Sequence, residues 1–358
     1  GCTTSSSPQS RLSDLLRQGE SPYFPNRGIL MDKTSLLHKI RLPPEIEHAL
    51  QSGADLVISI SGGKDSDAMC ELLPTLHQLQ GWTGRLALVH ANLHDSEWSM
   101  TEAYVQQRAV ALELPLHIVT RRQGTLLEHI QQRHHQRPDA PPFPSAAARY
   151  CTSGHKRNPI DSFLRHFKPT GAVVCAIGLR AEESPARAKK PAFQIRAGIT
   201  THSRAGYDWH PLLNFTLEDV WAALGVSLSE LTTLQTAVRR QMAAGKSWQQ
   251  AVAETHWRWH PAYALGNERL SCALCVLASR NDLMNGIAFH PDHYRELVDI
   301  ELQSGFSFRQ GLWLADLRPD LLTEQQRTHP LQHPPPLQPK SVATIQLEFD
   351  LCPQDSME

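Results

Sequence analysis

The chain has 358 residues and a formal net charge of −1, with 41% hydrophobic and 20% charged residues. That length suits a large α/β domain plus a second region. No global basic field marks the chain for nucleic acid, and no apolar run reaches membrane-spanning length, so no membrane partner is expected. Seven cysteines, an odd number in a long chain, argue against a disulfide framework and for reduced thiols in a cytoplasmic setting.

Residues 1–30 are polar and lack the apolar core of a signal peptide. Met31-Asp32-Lys33 reads as a natural start, so the stretch before it is expected to be a disordered extension. Residues 42–52 read as a short helix opened by Pro43-Pro44. Residues 54–60 form an apolar run of strand length. It meets Ser61-Gly62-Gly63-Lys64-Asp65-Ser66, after which Met69, Leu72, Leu73 and Leu76 recur at helical spacing. Residues 85–90 are a second strand, followed by the polar loop 92–98 and a helix to about 114. Residues 115–120 and 125–133 repeat the pair. Alternation of this kind predicts a doubly wound, mostly parallel α/β sheet with right-handed crossovers. Ligands of such sheets sit beyond the C-terminal strand ends.

Residues 134–148, rich in Pro and Ala, are expected to be a mobile loop over the site. A fourth strand, 172–178, runs into Leu179-Arg180-Ala181-Glu182-Glu183-Ser184-Pro185-Ala186-Arg187. Residues 208–214 lead to a helix with Thr216 and Asp219 as a capping box. Residues 229–256 read as mostly helical, and so do 292–302. After Arg318 the chain turns polar and Pro-rich. The expected organisation is an α/β domain over 31–225, a helical region over 226–318 and a flexible tail over 319–358.

Four constellations carry chemistry. In Ser61–Ser66, two adjacent glycines let the backbone approach a ligand closely. The free N–H groups and dipole of the helix start then favour an anion. Lys64 adds charge, and Ser61 and Ser66 add hydroxyls. This is a phosphate-binding turn, with an ordinary surface turn as the alternative. Its spacing is neither that of the Walker A loop nor that of the dinucleotide fingerprint. Next, Gly178, Arg180 and Arg187 end a strand on the same edge, with Lys189 and Lys190 beyond. Guanidiniums suit phosphate or sulfate, although the segment also reads as a solvated charged loop.

The third constellation is Cys151, in Arg-Tyr-Cys-Thr-x-x-x-Lys, with the pair Cys272-x-x-Cys275. Three readings stand: three ligands of a [4Fe–4S] cluster with one open iron, a structural zinc with His256 or His260 as fourth ligand, or inert thiols. Cys70 and Cys175 read as packed hydrophobes, and Cys352 as an exposed thiol. Last comes the loop His90-Ala-Asn92-Leu-His94-Asp95-x-Glu97-Trp98, where Asp95 or Glu97 would suit Mg²⁺. With nineteen histidines in the chain, His90 and His94 equally read as solvent or packing residues.

The Ser61–Ser66 turn resembles the PP-loop signature of the ATP pyrophosphatase (adenine nucleotide alpha hydrolase-like) superfamily. With the segments at 90–98, 151–156, 178–187, 211–221 and 272–275, the chain looks like the phosphoadenosine phosphosulfate reductase family, near the DNA phosphorothioation pyrophosphatases. The resemblance spans about residues 54–285. It departs where the assimilatory reductases carry a C-terminal Glu-Cys-Gly-(Ile/Leu)-His segment, and Thr152 follows Cys151 where cluster-bearing adenylylsulfate reductases have a second cysteine.

The resemblance implies that ATP and Mg²⁺ bind at Ser59, Ser61, Gly62, Gly63, Lys64, Asp65, Ser66, His90, Gly178 and Arg180. Lys64, Asp65, Arg180, Arg187 and Cys151 then carry the chemistry, and Cys151, Cys272 and Cys275 hold a [4Fe–4S] cluster or Zn²⁺. The expected reaction is adenylation of an acceptor for sulfur transfer. The acceptor is a nucleic acid or a small molecule, and the sulfur comes from a donor protein or the thiol site. Reduction of adenylyl sulfate or its 3′-phosphorylated form is the alternative reaction. A non-catalytic nucleotide-binding module of a defence or phage system is the alternative of another class.

Overall fold

Residues 27–330 are described by the structure, a computed structural model of the chain. Helices α1 (Arg27–Lys39) and α2 (Pro44–Gln51) precede β1 (Asp55–Ser59), and α3 (Lys64–Leu79) follows it. Next come β2 (Leu86–Ala91), α4 (Thr101–Ala111), β3 (Leu116–Val119) and α5 (Leu126–Gln136). A helical turn at Tyr150–Thr152 and a π-type stretch at Ser153–Arg157 lead into α6 (Asn158–Phe167). Then follow β4 (Gly171–Ile177), β5 (Phe193–Ile195), β6 (Arg204–Trp209), α7 (Leu217–Ala223), α8 (Leu228–Ala243) and α9 (Trp248–Glu254). Helices α10 (Arg280–Phe289) and α11 (Pro291–Ser304) complete the longer elements.

The six strands lie in the order β3-β2-β1-β4-β6-β5, all parallel except β5, which runs antiparallel to β6. The expected doubly wound α/β architecture is therefore present. Alternation in the central strands builds the two layers. Leu56, Ile58, Leu88, Val174 and Ala176 face one core with α3 and α7. Val57, Val89, Val173 and Cys175 face the other, under α6. Chain order runs outward from β1 to β2 and β3, then returns to β4 on the opposite side. The C-terminal ends of β1 and β4 thus flank the point where strand order reverses, where open sheets bind ligands.

The first helix begins at Arg27, so the last residues of the expected extension are helical; the rest of it lies outside the described residues, as do residues 331–358 and Cys352. Residues 319–330 are packed rather than tail-like. Leu322 is buried in the core around α11, and Gln326 bonds the Arg295 carbonyl at 2.9 Å and Asp299 at 2.7 Å. Of the expected 134–148 loop, residues 134–136 are the end of α5 and the rest is irregular but anchored. Phe143 is buried against Phe308, with ring centroids 5.3 Å apart, and the Tyr150 hydroxyl donates to the Pro142 carbonyl at 2.5 Å. Among the described residues, no helix is long and apolar enough to cross a membrane.

Candidate active site

The glycine turn joins β1 to α3. Gly62 has φ +73°, a left-handed conformation that an L side chain adopts at a cost. The turn is stapled by Ser66. Its Oγ donates to the Gly63 carbonyl at 2.8 Å and accepts the Ser61 N–H at 3.1 Å. Gly63 is the N-cap of α3 and contributes no side chain, and the turn sits where the helix dipole is positive and favours an anion. Ser59 sits at the end of β1, paired with Val89 and Ile177 of its neighbours.

Strand β4 brings the second constellation to the same place. A Cβ on Gly178 would lie 3.0 Å from both the Asp65 carbonyl carbon and the Ser66 nitrogen, so only glycine allows β4 to end this close to the turn. Arg180, 4% exposed, follows immediately. Its Nε donates to Asp65 Oδ1 at 2.5 Å and its Nη1 to Glu182 at 2.7 Å. Lys64 Nζ lies 3.4 Å from the other Asp65 oxygen. Asp65 therefore holds two cations side by side at the turn. Arg187 is placed one shell further out, paired with Glu183, whose carboxylate also accepts the Arg180 N–H at 3.1 Å.

His90 is 1% exposed and braces the turn from beneath. One ring nitrogen bonds the Ile60 carbonyl at 3.0 Å, and the other faces Glu97 at 3.2 Å. This engages Glu97, while Asp95 is exposed. Mg²⁺ takes one or two carboxylates together with substrate phosphates; Asp65 lies at the turn, but both of its oxygens already face cations.

Cys151, Cys272 and Cys275 are free thiols that pack against the core around α5, α10 and α11. Lys156 lies within electrostatic reach of all three. Burial pushes the Cys272 thiol up to about 12 even though Lys156 opposes the shift. Among the described residues, no group of three or more His, Cys, Asp or Glu side chains is arranged to hold a metal ion. His260, an expected zinc ligand, is fully buried. One ring nitrogen bonds Thr101 Oγ1 at 3.0 Å and the other accepts the Ala262 N–H at 3.2 Å. His256 is exposed at a left-handed position. The three thiols thus share a neighbourhood but present no preformed cluster or zinc ligand set.

The segment 260–270 roofs the turn. Tyr263, in the short helix Pro261–Ala264, accepts the Lys64 backbone N–H on its hydroxyl at 3.0 Å. Lys64 Nζ donates to the Glu268 carbonyl at 3.3 Å. A Cβ on Gly62 would meet His260, Tyr104 and Leu270 within 3.3–3.4 Å. Arg269 reaches the Glu183 carbonyl at 3.1 Å. The Lys64 partners come from 199 and 204 residues downstream, and the sequence carries no local signal for them.

Behind the turn, Asp67 is fully buried. The Tyr104 hydroxyl donates to one of its oxygens, and the other has no partner. Desolvation drives its pKa up to about 6, against Arg108 and the Tyr104 hydrogen bond.

The sequence matches a family model described as the phosphoadenosine phosphosulfate reductase domain over residues 55–234, half of the chain. No curated protein matches it. Among solved structures it is similar to the FMN adenylyltransferase of Candida glabrata in complex with FAD and inorganic pyrophosphate. That similarity runs at 17% identity over 61% of this chain and 64% of that one, with a TM-score of 0.33. The chain thus spans less than two thirds of the adenylyltransferase. It is also similar to the U34-tRNA thiolase NcsA from Methanococcus maripaludis with its [4Fe–4S] cluster, at 10% identity over 82% of this chain and 88% of that one, with a TM-score of 0.32.

Proposed function

Since this chain belongs to the phosphoadenosine phosphosulfate reductase domain family, we propose that it is an ATP pyrophosphatase of the PP-loop type that adenylates an acceptor for sulfur transfer. The observation that carries the reading is the meeting of the Ser61–Ser66 turn with Gly178 and Arg180 at the sheet's switch point. In this reading the β and γ phosphates rest on the turn. An acceptor oxygen attacks the α-phosphorus, the bond to the bridging oxygen breaks, and pyrophosphate leaves. A sulfur nucleophile then displaces AMP from the activated acceptor.

The roles of the residues follow from their placement. Lys64 and Arg180 offset the charge that grows on the leaving pyrophosphate. Asp65 fixes both cations in place, and Mg²⁺ would supply further charge neutralisation when bound. Arg187 and Arg269, tied to Glu183, line the outer approach. The three thiols beside Lys156 are the place where sulfur would be carried. No step is assigned to an iron–sulfur cluster or zinc, because the thiols do not form a metal-holding set.

The test is pyrophosphate release from ATP. Wild-type protein is expected to convert ATP to AMP and pyrophosphate, and Lys64→Ala and Asp65→Ala to abolish it; release that survives both changes sinks the assignment. A second reading, favoured by the family match, is reduction of an adenylyl sulfate. It is distinguished by its product, sulfite in place of pyrophosphate.

A further inference from the structure

The C-terminal edge of the sheet carries a second recess that the ATP chemistry does not use. It lies beyond β3, two strands away from β1 and so about 10 Å across the sheet from the glycine turn. The cleft encloses about 830 Å³. One wall is the loop after β3, with Arg121 and Arg122, and the adjoining residue of α5 is His129. The opposite wall is a polar stripe at four-residue intervals on one face of α6, Asn158, Ser162 and His166, with Gly154 of the π-type stretch beyond it. A Cβ on Gly154 would meet nothing within 4 Å, so this wall is set back from the space.

None of the lining residues is acidic. Among the described residues, Arg121 bonds a backbone carbonyl, that of Gln123 at 2.9 Å, and no carboxylate is paired with either arginine. The imidazoles register the same field. His129 and His155 face each other at 3.0 Å between ring nitrogens. Burial together with Arg121 holds both below the ordinary range, His155 near 4. Phe163 also borders the cleft, its ring packed against His117 and Phe167 at centroid distances of 4.6 and 5.1 Å.

We propose that this cleft binds the phosphodiester backbone of a single-stranded nucleic acid and, resting on the adenylation reading above, that this strand is the acceptor. Two adjacent guanidiniums suit phosphate oxygens. The neutral polar stripe tolerates a sugar–phosphate chain without repelling it. The cleft opens on the same sheet edge as the glycine turn. A strand seated there can therefore present a nearby nucleotide to the α-phosphate of ATP.

The experiment is fluorescence anisotropy with labelled single-stranded RNA and DNA 12-mers of mixed sequence, with no ATP present. The proteins are wild type, Arg121→Ala/Arg122→Ala and Arg121→Lys/Arg122→Lys. Wild type is expected to bind at least one polymer with salt-dependent affinity. The alanine pair should weaken binding about tenfold near 0.1 M salt and lower the slope of log K against log salt by about 1.4, two single-strand phosphate contacts. The lysine pair should restore most of the loss, and thermal midpoints should show that all three proteins fold alike. Absent binding by wild type, or equal affinity in the alanine pair, overturns the proposal. So does competition by a 3′-phosphorylated mononucleotide as effective as that by the 12-mer, which would make the cleft a small-anion site. A protein that binds the strand but releases no pyrophosphate fails only the adenylation reading; one that releases pyrophosphate but binds no strand fails only this one.

Discussion

The Arg180 guanidinium, at the end of β4, and the Asp65 carboxylate, in the first turn of α3, meet at 2.5 Å across 115 residues of sequence. This pair ties the phosphate turn to the neighbouring strand and keeps a second cation next to Lys64. Arg180 serves through its planar fork, which also spans to Glu182. Arg180→Lys keeps the charge but loses that geometry. Pyrophosphate release is expected to fall by roughly 10²–10³-fold, the size of a lost preorganised donor, while the thermal midpoint moves by only a few degrees. Steady-state assays beside calorimetry check both halves, and retention of wild-type turnover would falsify a role for the fork.

Gly178 tests how closely β4 must approach the turn. The added methyl of Gly178→Ala would sit 3.0 Å from the backbone of Asp65 and Ser66, neither of which is a flexible side-chain end. The turn or the strand end must shift, at a cost of about 1–3 kcal/mol. ATP affinity, measured by titration calorimetry, is expected to drop by more than tenfold. At Gly154, where the space is open, alanine is expected to leave ATP affinity unchanged.

The glycine turn, strands β1 to β4 and the Gly178–Arg187 segment were legible because each is local. An apolar run, a glycine pair and a helical period lie within twenty residues of one another. Strands β5 and β6 were not legible. β6 carries Arg204 and Asp208, both buried, in place of an apolar alternation. Asp208 is satisfied by Arg196 at 2.6 Å, and Arg196 also pairs with Asp161 at 2.5 Å. A strand whose interior faces an ion network shows no hydrophobic period to read. The roof over the turn was hidden for another reason. Tyr263 and Glu268 act on Lys64 through a hydroxyl and a backbone carbonyl, and neither group has a sequence signature. The cysteines were legible as a set, but their spacing could not show that Lys156 lies within electrostatic reach of all three.

The Tyr263 hydroxyl occupies a backbone N–H at the start of α3 that an anion would otherwise take. The two acceptors compete. Tyr263→Phe frees that donor and is expected to tighten ATP binding by severalfold. It should also lower unfolding stability by about 1 kcal/mol for the lost hydrogen bond. Nucleotide titrations and urea midpoints separate the two effects. If binding loosens instead, the hydroxyl is a ligand contact and the competition is wrong.

Asp67 sets a pH dependence of stability. Its carboxyl is held near 6 in the folded protein by desolvation, with Glu71 and Asp65 adding to the shift and Arg108 and Tyr104 opposing it. In the unfolded chain it titrates near the ordinary value of 3.8. The folded state therefore binds a proton more tightly. The contribution of this group to stability is fully present below about 4 and is lost as pH rises through 6. Asp67→Asn removes the ionisation while keeping an oxygen for the Tyr104 hydroxyl. The difference in urea midpoint between the variant and wild type is expected to be small at pH 4. It should move in the variant's favour between pH 4 and 6 and then stay level, a change on the order of 2 kcal/mol. A difference that is flat across this range would place the Asp67 pKa at its unfolded value, and the buried carboxyl behind the phosphate turn would then already be ionised at pH 5.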